Sequence, residues 1–290
     1  MTSARIFTRI IVYLILISTS SCAFKRIHRE KNIIYMKTDS TRSIPSQMLT
    51  VFSPKKPVDK NVLIFIHGGS WRSGNKNLYS FFGSRMARKG VVTVIINYPL
   101  SPVGNFNNMA YASATSVKWV YENIDRFGGD RNKIFISGHS AGGHLAALIS
   151  VRDEYLDSVG IKSPIKGAIL IDAAGLDMYG YLMEEKKTEG HSYLKTFTPN
   201  PSEWKKASPL YHLHKGMPPF LIYKGEKTYP SIHKSNDKFV KALPNFTSKV
   251  NYNVLKRKKH VPMITQFVWP WNPRYDEILH FMNGIADTTN

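Results

Sequence analysis

Three groups of residues in this chain have the types and spacing for nucleophilic chemistry on a carbonyl carbon. The first is Gly138-His139-Ser140-Ala141-Gly142, a G-x-S-x-G pattern. A serine hydroxyl becomes a nucleophile when a base takes its proton and a tight turn lifts it clear of the backbone. Glycines on either side allow a strand and a helix to meet closely enough to make that turn. The second group is His67-Gly68-Gly69-Ser70-Trp71. The backbone N–H groups of Gly68 and Gly69, together with that of Ala141 just after the serine, can converge on an oxygen that gains negative charge. His67 reads as a hydrogen-bonding residue of the loop itself. The third is His260, late in the chain within Lys259-His260-Val261-Pro262-Met263, where it can act as the base.

These residues must be positioned by an alternating frame. Val62–Ile66 is a continuous apolar run, rich in β-branched residues, that ends in His67-Gly68-Gly69. It reads as a buried strand followed by a tight turn. Leu78–Arg88 has helical spacing and stops at Gly90, and Val91–Ile96 is a second buried strand. An amphipathic helix over Asn108–Ile124 leads to a third strand, Lys133–Ser137, which runs straight into the serine turn and a small-residue helix. Ile165–Ile171, Phe220–Tyr223 and Val250–Leu255 are the fourth to sixth strands. Strands alternating with helices predict an α/β fold with a mostly parallel central sheet and helices on both faces. Residues 177–215 break the rhythm, being polar, aromatic-bearing and longer than an ordinary connection. They are expected to form a small helical lid. Residues 23–55 are expected to be a tether with edge strands, and residues 56–290 the main domain.

The chain of 290 residues is 42% hydrophobic and 21% charged, enough for one large core and unlike a disordered or fibrous sequence. Lys and Arg number 40 against 20 Asp and Glu, a formal charge of +20. No nucleic-acid motif accompanies that charge, and the densest run, Lys256-Arg257-Lys258-Lys259, reads as a solvated loop. His212 and His214 form an H-x-H without a carboxylate or cysteine spaced to complete a metal site, so no metal or cofactor is expected. At the N-terminus Arg5 and Arg9 precede an apolar stretch, Ile10–Ile17, then Ser18-Thr19-Ser20-Ser21 and Cys22. The order basic, apolar, small is that of an export signal over residues 1–22. The stretch is shorter than the roughly 18–20 apolar residues of a bilayer span. Cys22 is the only cysteine, so no intramolecular disulfide forms. Its place after the small residues resembles a bacterial lipoprotein site, which implies a membrane-attached or otherwise exported protein.

With these motifs in order, the chain resembles the carboxylesterase branch of the α/β-hydrolases that carry an HGG(x)W oxyanion loop. Hormone-sensitive-lipase-type esterases, feruloyl-type esterases and kynurenine formamidases are similar to it. The likeness rests on His67–Trp71, Asn97-Tyr98-Pro99, Gly138–Leu148 and Ala207-Ser208-Pro209, and extends from about residue 56 onward. It implies a triad in the chain order Ser, acid, His, acting on small carboxylic esters without a cofactor. Ser140 and His260 match it. Trp71 and His139 would border the pocket. The acid departs from the family pattern, because Thr228 stands where G-x-x-D would put an aspartate. Glu226 is the carboxylate of that loop and the first candidate, with Asp237, Asp172 and Asp177 as alternatives. Two other activities stay open on the same residues: an amidase of the kynurenine-formamidase type, and a secreted hydrolase-like binding protein without turnover.

Overall fold

In the computed structural model, residues 26–185, 192–247 and 250–286 are described. Residues 1–22, read from the sequence as an export signal, lie outside them with Cys22. The described elements are β1 (Ile27–Met36), β2 (Gln47–Pro54), β3 (Lys60–Ile66), α1 (Ser80–Arg88), β4 (Val92–Ile96), α2 (Phe106–Asn123), β5 (Gly129–His139), α3 (Ala141–Val151) and α4 (Glu154–Ser158). After these come β6 (Ile165–Ile171), α5 (Met178–Glu185), α6 (Ser192–Phe197), α7 (Pro201–Lys206), β7 (Phe220–Gly225), α8 (Pro230–Ala242), β8 (Val250–Leu255), α9 (His260–Thr265) and α10 (Arg274–Ala286).

The strands form one sheet in the order β1-β2-β4-β3-β5-β6-β7-β8. β1 and β2 pair antiparallel, as do β2 and β4, while every pair from β4 to β8 is parallel. The α/β expectation from the alternating pattern therefore holds, with both antiparallel strands at one edge. Each inner strand is apolar on both sides because helices cover both faces. Along β3, Val62, Ile64 and Ile66 join the core under α2 and α3. Leu63 and Phe65 join the core under α1 and α10, with Phe82, Met86, Tyr275 and Ile278. At roughly 25 cal/mol per Å² of apolar area, this two-sided burial is what holds the parallel sheet together.

The segment between β6 and β7 carries α5, α6 and α7, the short helices expected at the lid. It is tied down at both ends. Asp177 receives the Lys238 ammonium at 2.5 Å, the Tyr179 N–H donates to Ser208 Oγ at 2.8 Å, and the Trp204 indole N–H donates to the Thr198 carbonyl at 2.8 Å.

Candidate active site

Ser140 sits between the end of β5 and the start of α3, at φ 56° and ψ −121°. A non-glycine residue with positive φ is strained, and such strain persists only where neighbours impose it. Here close backbone packing does so. A Cβ on Gly142 would lie 2.0 Å from the Ile66 carbonyl oxygen, and one on Gly138 would lie 2.3 Å from the Gly142 carbonyl. Only glycines allow β5, α3 and β3 to approach this closely, and their approach turns the Ser140 side chain outward at the carboxyl end of the sheet.

His260 is the first residue of α9, with Lys259 in extended conformation before it. Its Nε2 lies 2.9 Å from Ser140 Oγ, and its Nδ1 lies 2.6 Å from Asp172 Oδ2. Asp172 is fully buried directly after β6, at φ 48°. Its carboxylate also accepts the Gly225 N–H at 2.8 Å on Oδ1, and the Thr228 hydroxyl on the same Oδ2 that faces His260. A buried carboxylate needs partners of this kind to stay charged. Thr228, at the position where the family pattern would place the acid, supplies a donor to an acid on the neighbouring strand.

The expectation of Glu226 as acid is corrected by this geometry. Its carboxylate accepts the Arg257 N–H at 2.7 Å in an exposed loop and does not reach the imidazole. Asp237 is engaged by the Lys224 ammonium and by the Tyr252 hydroxyl at 2.9 Å. Asp177 is held by Lys238 and by the Gly180 N–H at 2.8 Å. The Asp172 signal was its place: the residue directly after a buried parallel strand lies at the carboxyl edge of the sheet, where such sites open.

His260 is clamped from both sides. The His139 ring stacks on it at 4.7 Å and 28°, with His139 Nε2 3.3 Å from the His260 carbonyl oxygen. The exposed Tyr229 ring lies 5.1 Å away on the mouth side. Burial, then the neighbouring His260, pushes His139 down to about 3, so it is neutral at physiological pH. It is buried and backs the imidazole.

Trp71 is also buried. Its indole N–H donates to His144 Nδ1 at 3.1 Å, and His144 Nε2 lies 2.6 Å from the Ala207 carbonyl oxygen. These two contacts assign the tautomer, with the proton on Nε2. Burial pushes His144 down to about 4, which keeps Nδ1 available as the acceptor. Edge-on contacts from Trp71 to Phe197 at 4.9 Å and Tyr193 at 5.7 Å complete a bracket joining the glycine loop, α3 and α6.

The glycine loop itself departs from expectation at one donor. The buried Gly68 N–H donates to the Tyr79 hydroxyl at 3.0 Å, so it is withdrawn from the oxyanion donors. A Cβ at Gly68 would also meet the His139 carbonyl at 2.9 Å. Gly69 has φ 134°. Its carbonyl accepts the Arg72 and Ser73 N–H groups at 3.1 and 3.0 Å, and its own N–H has no partner among the described residues. Ala141 opens α3, where the first N–H groups of a helix have no intrahelical acceptor and carry the positive end of the helix dipole. Tyr79, which anchors the loop, carried no readable signal in the sequence, because the contact spans eleven residues and a turn.

Fold and site together define an α/β-hydrolase scaffold with a Ser–His–Asp hydrogen-bonded chain at the carboxyl end of its sheet. The chain belongs to the BD-FAE family, whose model matches residues 49–242. Esterase LipC of Mycobacterium tuberculosis is 31% identical over 201 residues, covering 63% of this chain and 48% of its own length. A probable isoprenylcysteine alpha-carbonyl methylesterase of Arabidopsis thaliana is 24% identical over 244 residues, covering 77% of this chain and 50% of its own length. The chain thus spans about half the length of these curated relatives. Among solved structures, an inhibited esterase B from Lactobacillus rhamnosis superposes with TM-score 0.73 at 20% identity, covering 97% of this chain and 96% of that one. Butyrate-bound esterase 2 of Thermogutta terrifontis superposes with TM-score 0.68 at 20% identity, covering 91% and 95%. Both share the fold.

Proposed function

We propose that this protein is a serine esterase that hydrolyses small carboxylic esters through an acyl-enzyme. The observation that carries the reading is the unbroken chain Ser140 Oγ to His260 Nε2 at 2.9 Å and His260 Nδ1 to Asp172 Oδ2 at 2.6 Å. Relatives named as esterases support it.

His260, with its proton on Nδ1 toward Asp172, takes the Ser140 proton on Nε2 as Oγ attacks the ester carbonyl. The carbonyl oxygen becomes an oxyanion, held by the N–H groups of Gly69 and Ala141 and by the α3 dipole. His260 then gives its proton to the departing alcohol oxygen. Water, deprotonated by the same imidazole, attacks the acyl carbon, and the carboxylic acid leaves as Ser140 regains its proton. Asp172 stays ionised throughout and stabilises the imidazolium.

The test is hydrolysis of p-nitrophenyl acetate and butyrate, with fluorophosphonate labelling alongside. Wild type is expected to turn over and to be labelled on Ser140, and Ser140→Ala to do neither. A wild type inert to both would overturn the proposal in favour of a binding protein on a hydrolase scaffold. We also propose, from the basic, apolar, small order of residues 1–22, that they form an export signal with Cys22 lipidated. Mass spectrometry of the mature N-terminus tests this, and a chain that retains residues 1–22 without lipid refutes it.

A further inference from the structure

The segment that leaves the site carries an unusual surface. Directly before His260 stand Lys256, Arg257, Lys258 and Lys259. After it, Val261, Val268, Trp269 and Trp271 are exposed, the two indoles at 57% and 74%. The indole rings lean on one another at 5.3 Å and 33°. Exposed tryptophans are costly in water and are rare outside contact surfaces.

The fold puts this patch at the same end of the sheet as the site. α10 starts beside Phe267, which contacts Tyr275 at 5.1 Å. It runs down to Phe281, whose ring would lie 2.9 Å from a Cβ on Gly167 near the start of β6, and to Asn283, which accepts from Asn61 at the amino end of β3 at 2.8 Å. The turn before α10 therefore lies at the opposite, carboxyl end of the sheet, with Ser140 and His260. On α9 and the turn after it, Val261 and Val268 are seven residues apart and share the outward face.

We infer that this rim docks the folded protein onto an anionic lipid surface, with the site opening toward the bilayer. Paired tryptophans beside aliphatic residues suit the headgroup boundary, where one side of the ring is apolar and the N–H is wet. The adjacent cations suit anionic headgroups. Nearby carboxylates do not cancel them: Asp276 is paired with Lys89, Glu277 with Arg274, and Glu226 takes the Arg257 backbone N–H. A second copy of this chain fits the patch poorly, since each brings a formal charge of +20. The docking stands apart from turnover and from Cys22.

The experiment uses the full chain with vesicles of phosphatidylcholine, with and without phosphatidylglycerol, and with brominated lipids as quenchers. Wild type is expected to lose indole emission on brominated anionic vesicles, and Trp269→Ser/Trp271→Ser to show no such loss. Lys256→Gln/Arg257→Gln is expected to bind anionic vesicles about 25-fold more weakly, at about fivefold per cation. Hydrolysis of dissolved p-nitrophenyl acetate is expected to stay within about twofold in both variants, which separates docking from chemistry. Unquenched indoles in wild type overturn the inference. So does binding of a single-stranded oligonucleotide, or a shift to dimer mass, that needs the same indoles while vesicles are ignored.

Discussion

Replacing Asp172 by Asn tests the acid assignment with little disturbance elsewhere. The residue lies at φ 48°, a conformation that Asn tolerates well, and the amide matches the carboxylate in size. Its Oδ1 can keep the Gly225 N–H. The Nδ2 group then faces His260 where Oδ2 had accepted a proton, so the imidazole turns to its other tautomer. With the proton on Nε2, His260 no longer accepts from Ser140. The ion-pair contribution to the transition state is lost as well. At an effective dielectric near 20 and about 4 Å between charge centres, that is about 4 kcal/mol, or roughly 10³ in rate. With the tautomer error included, kcat is expected to fall by about 10³–10⁴. The assay is p-nitrophenyl butyrate hydrolysis, with thermal unfolding to show an intact fold. Glu226→Gln, run beside it, is expected to stay within about threefold of wild type, since among the described residues the Glu226 carboxylate meets a backbone N–H of an exposed loop and not the imidazole. A large loss in Glu226→Gln with near-normal Asp172→Asn would refute the assignment.

Tyr79→Phe removes the acceptor of the buried Gly68 N–H. That costs about 1–3 kcal/mol and loosens the loop that aims Gly69, so kcat is expected to fall about tenfold with KM nearly unchanged. Trp71→Phe leaves His144 Nδ1 without its donor and removes ring volume from a packed cluster. Urea unfolding should show a loss on the order of 2–4 kcal/mol. Acid should weaken the fold earlier than carboxylates alone would. His67, His139 and His144 are buried and neutral, pushed down to about 4, 3 and 4 from 6.5. Below about pH 6.5 the unfolded chain binds protons that the folded one refuses, so stability is full above that value and falls as pH drops toward 4. Three such groups give a slope of at most about 4 kcal/mol per pH unit. A Tm that is flat between pH 7 and 4.5 would contradict this, and His144→Gln should reduce the slope by about a third.

The frame was legible because its signals are local. Runs such as Val62–Ile66 and Ala168–Ile171 are apolar throughout, as two-sided burial demands, and a glycine or aspartate that turns the chain follows each within two residues. The serine turn was legible for a similar reason, since the glycines that permit Ser140 its backbone stand within two residues of it. The acid was harder. Asp172 and Glu226 each follow a strand of the same sheet, and spacing alone cannot tell which side chain reaches over to His260. What decides it is that Thr228 and the Gly225 N–H converge on Asp172 across 56 and 53 residues. The oxyanion loop shows the same limit: His67-Gly68-Gly69 was visible as a donor loop, but the loss of one donor to Tyr79 depends on how the turn through residues 74–79 packs back onto it. The burial of Trp71 and His139 follows from helix α6 and from α9 folding over them.

Because the acid sits on β6, the loop after β7 is relieved of proton chemistry. It is zipped instead to the loop that carries His260, with the Glu226 N–H on the Leu255 carbonyl at 3.0 Å and the Lys227 N–H on the Lys258 carbonyl at 2.8 Å. Its backbone works as a jig for the imidazole, while the Lys227 side chain is exposed, the Glu226 carboxylate braces the Arg257 N–H and the Tyr229 ring lies beside His260. For protein engineering this separates two tasks that a single loop would otherwise share. Substitutions at Lys227 can search for new substrates, with the His260 loop held by main-chain bonds that no substitution there, short of proline, removes.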